Sequence, residues 1–566
     1  MPATQLSHPS SADRAVLSVT HVTCERGGAV VLRDISLKVG PRSRVGVVGA
    51  NGAGKSTLLQ VLAGLLTVDT GARSLDPPTA TVGYLAQEHE RRASETVREA
   101  LARRTGVAGA DDELRLAAGD LALNTREASE RYDVALTRFE SLGASSFDAR
   151  LATVLSDLGV ANLADAPTSD LSGGQEAKVA LAGIELSQFD LVLLDEPTND
   201  LDFHGLLRLE EWIGRRVGGL VVVSHDREFL ERTVTSVLEI DDHSHSAQEF
   251  AGGWSGYQSE RANARRQAQE AFERFREQRQ QLTARAERQR QWAVVGVKNE
   301  KKKMTDHDTA QRDFRINRTE KLASKARQSE RALERLEEVE KPFEGWDLRF
   351  RIDEVQRAGD VVAHLAEVSV SRPAFTLGPL ILEIAWGERV ALTGANGSGK
   401  STLLQVMLGE LEPSSGARSI GPGVVLGALG QDRRVLNSDH DTVRYVSDRC
   451  ALALSETRSL LAKFALGAAE VTRPASTLSP GQRTRVELAV FQALGVNFLV
   501  LDEPTNHLDL PAIEQLEQAL ASFTGTLLVT SHDRRLLEVL HFTRTLAMEN
   551  GRLSEVDAPP PRGEKR

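Results

Sequence analysis

Two segments, GANGAGKST (Gly49 to Thr57) and GANGSGKST (Gly394 to Thr402), fit the pattern G-x-x-x-x-G-K-[ST]. Small residues there let consecutive backbone N–H groups wrap a triphosphate, while the lysine reaches its β- and γ-phosphates and the hydroxyl holds Mg²⁺. Gly49, Asn51, Gly52, Gly54, Lys55, Ser56 and Thr57, with Gly394, Asn396, Gly397, Gly399, Lys400, Ser401 and Thr402, are therefore candidate ATP contacts. Ser56 and Ser401 are also candidate metal ligands. Four apolar residues precede Asp195 and again Asp502, which should bring each carboxylate to the C-terminal edge of a buried strand, facing phosphate and Mg²⁺. The adjacent Glu196 and Glu503 would polarise an attacking water, and His225 and His532 could contact the γ-phosphate. A lone Ser-His-Asp string is usually an ordinary strand end; its recurrence at constant spacing after DEPTN favours the catalytic reading.

That recurrence organises the whole chain. LSGGQ (Leu171 to Gln175) returns as LSPGQ (Leu478 to Gln482), LLDEPTNDLD as VLDEPTNHLD, and VVSHDR as VTSHDR, all offset by 307 residues. The two lysines are 345 apart, so the first copy holds 38 more residues ahead of its signature. The excess, about Asp111 to Leu158, is charged, rich in Ala and Leu, and reads as added helix. Each copy otherwise alternates strand, glycine loop, helix and further strands, the pattern of an α/β core with P-loop NTPase architecture. Domain limits of 14–250 and 343–557 follow, with a linker at 251–342 and a disordered tail at 558–566.

Between the copies, Tyr257 to Glu340 holds no proline and one glycine, Gly296. Apolar positions recur at steps of four and three in both halves, which predicts two helices folded into an α-helical hairpin. The first should run some 36 residues to a break near VVGVKNEKKKMTDHD, and Pro342 ends the second. From Tyr257 to Pro342 there are 22 Lys and Arg against 15 Asp and Glu, a net of +7, whereas the remainder of this chain of net charge −11 carries −18. Lys298, Lys301, Lys302, Lys303, Arg312, Arg315 and Arg318 cluster around the expected tip, where they could neutralise RNA phosphates. On composition alone a solvated coiled coil explains this charge equally well.

The 566 residues include no apolar run near 18, so no membrane span is expected, and the first residues, MPATQLSHPSSADR, lack the pattern of a secretory signal. A cytoplasmic protein is expected. Cys24 and Cys450 are too few for a disulfide framework or a Cys-cluster zinc site, which leaves a DNA-repair reading without support.

LSGGQ and LSPGQ, 20 residues before the aspartate in both copies, match the signature of ATP-binding cassette (ABC) ATPases. In that family the signature contacts nucleotide held by the opposite domain. The resemblance thus implies two composite sites in a monomer whose cassettes pair internally, with Ser172, Gly174 and Gln175 facing Lys400, and Ser479, Gly481 and Gln482 facing Lys55. Pro480 replaces a glycine and removes one donor from the site of Lys55. Gln87 and Gln431 are further candidate ligands of nucleotide and metal. Neither copy shows the aromatic that often stacks on adenine in this family; Arg26 and Arg372 stand there instead, either stacking on the base or simply exposed.

Duplicated cassettes, a basic helical linker, GGWSGY before it and RINRTEKLASKARQSERALERLEEVEKPFEGWDLRF (Arg315 to Phe350) within it resemble the ABC-F family, and in particular its actinobacterial antibiotic-resistance members. The resemblance implies an ATPase that binds the ribosome, rRNA and tRNA near the tRNA exit site, and pushes its linker toward the peptidyl-transferase centre. A general translation factor, or an ATPase energising a separate membrane exporter, is the alternative. The arginine substitution predicts weak base discrimination: the ratio of ATP to GTP hydrolysis rates should stay below about ten, and a steady-state comparison checks it.

Overall fold

Continuous apolar runs build two parallel sheets, because a strand covered on both faces cannot carry polar side chains. The computed structural model describes residues 14–86, 94–199, 201–302, 357–372, 375–430 and 440–556, with backbone alone for 286 and 289–302. In the first cassette β1 (Val16–Arg26), β2 (Ala29–Val39) and β4 (Thr70–Asp76) form an antiparallel sheet in the order β2-β1-β4. The main sheet comprises β3 (Arg44–Gly49), β5 (Val82–Leu85), β6 (Leu191–Asp195), β7 (Gly219–Val223), β8 (Ser236–Ile240) and β9 (Ala247–Ala251). Its order is β5-β6-β7-β3-β8-β9, parallel except at β9. Every residue of β6 and β7 is buried, as the runs LVLLD and GLVVV require.

The second cassette repeats this plan. β10 (Val361–Arg372), β11 (Phe375–Ala385) and β13 (Ser415–Ile420) form the antiparallel sheet. β12 (Arg389–Thr393), β14 (Leu426–Leu429), β15 (Phe498–Asp502), β16 (Thr526–Thr530), β17 (Arg544–Glu549) and β18 (Arg552–Val556) form the main sheet, ordered β14-β15-β16-β12-β17-β18. Both main sheets end their parallel strands on the side where the glycine loops lie, which places the ligand crevice at the carboxyl ends.

Helices complete the site's supports. α1 (Lys55–Ala63) follows the first glycine loop, and its counterpart Lys400–Leu408 follows the second. α2 (Val97–Arg104), α3 (Val107–Asp120), α4 (Arg126–Ser141) and α5 (Phe147–Asp157) fill the segment between glutamine loop and signature, so the added stretch is helical. α6 (Gly173–Leu186) opens on the signature, and α7 (Phe203–Arg215) and α8 (Arg227–Thr233) follow β6 and β7. The second-cassette equivalents of these last three are Pro480–Leu494, Leu510–Ser522 and Arg534–Val539.

The chain divides into two compact units, one of Met1–Ser255 with Trp346–Arg566 and the other of Gly256–Gly345. α9 (Gly253–Lys302) is 50 residues long, about 75 Å at 1.5 Å per residue. It is longer than the expected 36 residues because it continues through Val294–Val297, where the strong helix formers on either side outweigh three valines and a glycine. The expected second linker helix, with Lys303, Arg312, Arg315 and Arg318, lies outside the described residues, as does the tail. Among the described residues no helix is long and apolar enough to cross a membrane.

Leu193 is fully buried at the centre of β6. Leu193→Ala should lower stability by about 2–5 kcal/mol, read as a shift of the urea unfolding midpoint.

Candidate functional site

The glycine loops reach their form through backbone geometry that only glycine tolerates at certain points. Gly54 (φ +101°) and Gly399 (φ +112°) precede the helices; a Cβ on Gly54 would lie 2.8 Å from Leu32, and one on Gly399 2.6 Å from the Phe375 ring. Lys55 Nζ donates to the Gly49 and Ala50 carbonyls at 3.0 Å each, and Lys400 Nζ to Gly394 (2.6 Å) and Ala395 (3.2 Å). Burial lowers both lysine pKa values, opposed by the carboxylates Glu196, Asp509 and Asp195 around Lys55 and by Glu503, Asp202 and Asp502 around Lys400. The loops and Walker-type aspartates thus converge as the sequence spacing anticipates.

Neither cassette holds a whole site. Asn51 N–H donates to Asp509 Oδ2 (3.0 Å) and its side-chain amide to the His507 carbonyl (3.1 Å); reciprocally, Asn396 N–H donates to Asp202 Oδ2 (3.2 Å). A Cβ on Gly174 of the first signature would stand 3.1 Å from Asn396 Cβ of the second glycine loop. The cassettes are therefore joined head to tail, with Ser172 and Gly174 facing Lys400 across a cavity of about 1680 Å³ lined by the second glycine loop and by Asp195, Glu196, Asp502 and Glu503. That exceeds the usual volume of a small-molecule pocket and leaves room for a nucleoside triphosphate. Ser172 N–H donates to Gln175 Oε1 (2.9 Å) and Ser479 N–H to Gln482 Oε1 (3.0 Å), so each signature glutamine caps its own helix. Pro480 is the first helical residue, where its missing N–H breaks no helical bond. A Cβ on Gly481 would meet Ala512 of its own cassette at 3.0 Å.

Around the carboxylates the two sites diverge. Asp195 Oδ2 accepts from the Tyr84 hydroxyl at 3.0 Å, and Ser56 also bonds this carboxylate; burial raises its pKa against those two donors. Asp502 Oδ1 instead accepts from Thr530 Oγ1 at 2.5 Å. Tyr84 aligns with Ala428, and Thr530 with Val223, so each cassette supplies its hydroxyl from a different strand. Glu196 and Glu503 both hold left-handed backbone, φ 49° and 46°. Such strain in a non-glycine residue persists where the surroundings enforce it and clusters at functional positions. Burial pushes Glu196 up, but His225, Lys55 and His507 outweigh it and leave the carboxyl below its ordinary range. Glu503 is pushed up to about 7 by burial, which Lys400 and the His532 N–H only partly offset.

His225 Nε2 sits 3.0 Å from Glu196 Oε1, off the hydrogen-bond line, and His532 Nε2 sits 3.4 Å from Glu503 Oε1. Burial, reinforced by Lys400, lowers His532 to about 3, so it is a neutral imidazole. Phe203 of the opposite cassette packs edge-on against it, ring centroids 5.2 Å apart.

Among the described residues, Asp195 Oδ1, Glu196 Oε2, Glu503 Oε1 and both nitrogens of His225 and of His532 are buried without a hydrogen-bond partner. Orphaned acceptors beside a lysine and a serine hydroxyl suit a phosphate with a hard divalent cation, because oxygen donors are what Mg²⁺ takes. Ser56 with Asp195, and Ser401 with Asp502, would hold the metal, which supplies charge neutralisation at the phosphates when bound. Gln87 and Gln431 lie outside the described residues.

Arg26 and Arg372 are exposed, and each donates to a glutamine of the helix behind its glycine loop: Gln60 at 2.6 Å and Gln405 at 3.3 Å. The second cassette does bring one aromatic residue to the cavity. Phe375, the register partner of Arg372 in the β10–β11 pairing, lines the cavity, and the same register in the first cassette gives Ala29 opposite Arg26. Sequence reasoning missed Phe375 because it compared the ends of the first strands alone. It also missed Tyr84, Thr530, Asp202 and Asp509; the last two close the repeated DEPTN-x-LD string and could have been found there.

A match to the ABC transporter family covers residues 32–199 and 377–506. The chain is 35% identical to the tylosin resistance ATP-binding protein TlrC of Streptomyces fradiae, over 92% of this chain and 95% of that one. It is 31% identical to the energy-dependent translational throttle protein EttA of Mycobacterium tuberculosis (92% and 89%). It is 29% identical to ABC transporter F family member 5 of Arabidopsis thaliana (93% and 74%). Among solved structures, an RNase-L inhibitor superposes with a TM-score of 0.52 at 18% identity, covering 94% of this chain and 88% of that one, which speaks for a shared fold.

Gly174→Asp would drive a carboxylate into Asn396 across the interface. It should cut ATP turnover by about tenfold or more while the protein keeps its melting temperature, measured by phosphate release and thermal unfolding. With motifs assembled across two copies and a family match over more than half of its length, the protein belongs to the ABC family, in its F branch of paired cassettes, and is an ATPase.

Proposed function

We propose that this ATPase acts on translation: with two Mg·ATP bound it engages the ribosome at the tRNA exit site, and its linker reaches toward the peptidyl-transferase region to protect it against antibiotics. Hydrolysis at Glu196 and Glu503 then releases the complex, so that turnover times a binding event. The observation that carries this reading is α9, a proline-free helix of 50 residues with 12 Lys and Arg against 6 Glu, set between cassettes whose remaining sequence is acidic. A basic prong on an acidic body concentrates contact with RNA phosphate at one element and discourages adhesion elsewhere.

The names of two relatives support the same direction, since TlrC is a tylosin resistance protein and EttA a translational throttle. Resistance is preferred to general translation control because TlrC is matched over nearly the whole length of both chains. The protein would work in the cytoplasm as a monomer. Lys298, Lys301 and Lys302 lie on the far end of α9, and Lys303, Arg312, Arg315 and Arg318 follow it in sequence; all seven are proposed RNA contacts.

The test joins Glu196→Gln with Glu503→Gln. The double variant should co-sediment with ribosomes in ATP and not in ADP, and its absence from the ribosomal pellet would overturn the proposal. Shortening residues 293–312 should restore drug susceptibility in cells while turnover on the isolated protein stays within about twofold.

A further inference from the structure

The two SHDR strings each place an arginine two residues beyond the histidine of an ATP site. Arg227 Nη2 donates to Glu517 Oε1 of the other cassette, and Arg534 Nη1 donates to Glu210 Oε1 at 3.0 Å. Both pairs are withdrawn from water: their side chains are 3% and 8% exposed in the first pair, 13% and 11% in the second. They are related by the same offset of 307 that relates the cassettes, so they form one reciprocal arrangement.

Each glutamate belongs to a helix that touches the opposite ATP site at its other end. On α7, the capping residue Asp202 holds the Asn396 N–H, Phe203 packs on His532, and Glu210 meets Arg534. Positions 203 and 210 are two turns apart and share one face. One helix of the first cassette therefore touches the glycine loop, the histidine and the post-histidine helix of the second. The counterpart Leu510–Ser522 presents Asp509 to Asn51 and Glu517 to Arg227 in the same spacing. Between the pairs, the carboxylates Asp226 and Asp533 cap the two short helices, accepting from Glu228 and Phe229, and from Arg535 and Leu536. Burial and the charge of Asp533 push Asp226 up to about 6. Arg232 also reaches Glu210, at 3.1 Å, so the second pair belongs to a wider network.

A buried ion pair gains little net stability, since desolvation offsets attraction, but it penalises any other register of its partners. We propose that Arg227–Glu517 and Arg534–Glu210 are positioning pairs that tie each site's histidine loop to the opposite cassette, so that occupancy and hydrolysis at one ATP site set the geometry of the other.

The test uses the full chain without ribosomes and compares three turnover rates: the parent, Glu196→Gln and Glu503→Gln. For independent sites the two single-variant rates sum to the parent rate however unequal the sites are, whereas coupled sites give a sum of about one fifth of it or less. The sum should be near one fifth of the parent rate in the otherwise unaltered chain, rise to about the parent rate in the R227E and E517R backgrounds, and fall again in the R227E/E517R double reversal. If the single reversals do not fold, R227M/E517M keeps the buried volume without charge, and it too should show additive rates. Additive rates in the unaltered chain, an unchanged sum in the folded single variants or in R227M/E517M, or a folded double reversal that stays additive would each overturn the proposal. A structural role alone would move the melting temperature and leave the sum in place.

Discussion

The rest of the structure depends on completing each nucleotide site across the interface. Asp202 and Asp509 each accept a backbone N–H from the glycine loop of the opposite cassette. Each of these bonds is made to a carboxylate, and a hydrogen bond to a charged acceptor is stronger than one between neutral groups. Each cassette thus finishes the other's phosphate loop, and the signature of the first, with Gly174 against Asn396, closes over the lysine of the second. Sheet order, helix directions and the repeat offset all serve to bring these ends face to face.

Duplication gives two sites of one plan but not two equal sites. The metal-side aspartate is held by a tyrosine from β5 in one and by a threonine from β16 in the other. The glutamates that follow these aspartates differ more: His225 and Lys55 keep Glu196 low, while Glu503, beside a neutral His532, stays near 7. Phe203 deepens the contrast, since its aromatic edge shields His532 and the corresponding residue in the other half is Leu510. A carboxylate is a better proton acceptor when it is ionised at working pH, so the two glutamates face hydrolysis from different starting states.

The chemistry of the site was legible wherever a reaction demands particular residue types at short spacing. Lys55, Ser56, Asp195, Glu196 and His225, with their repeats, fall together as the spacing anticipates, because a glycine loop, a buried strand and its terminal carboxylate are local constructions. The helical character of the stretch after α2 was legible from composition as well. Phe375 was not, because its place at the cavity comes from the strand register that pairs it with Arg372, and neither residue announces the other.

From sequence alone came the duplication, the α/β cores, the candidate catalytic groups and the basic linker, all consequences of local pattern, composition and self-similarity. Tertiary structure alone decided which hydroxyl holds each aspartate, how far α9 extends, and that Arg227 and Arg534 pair across the cassettes. The reason is physical. Contacts between residues some 190 to 460 positions apart leave no period or motif in the chain; they exist once two packed bodies meet and the cost of burying charge selects the one register that satisfies it.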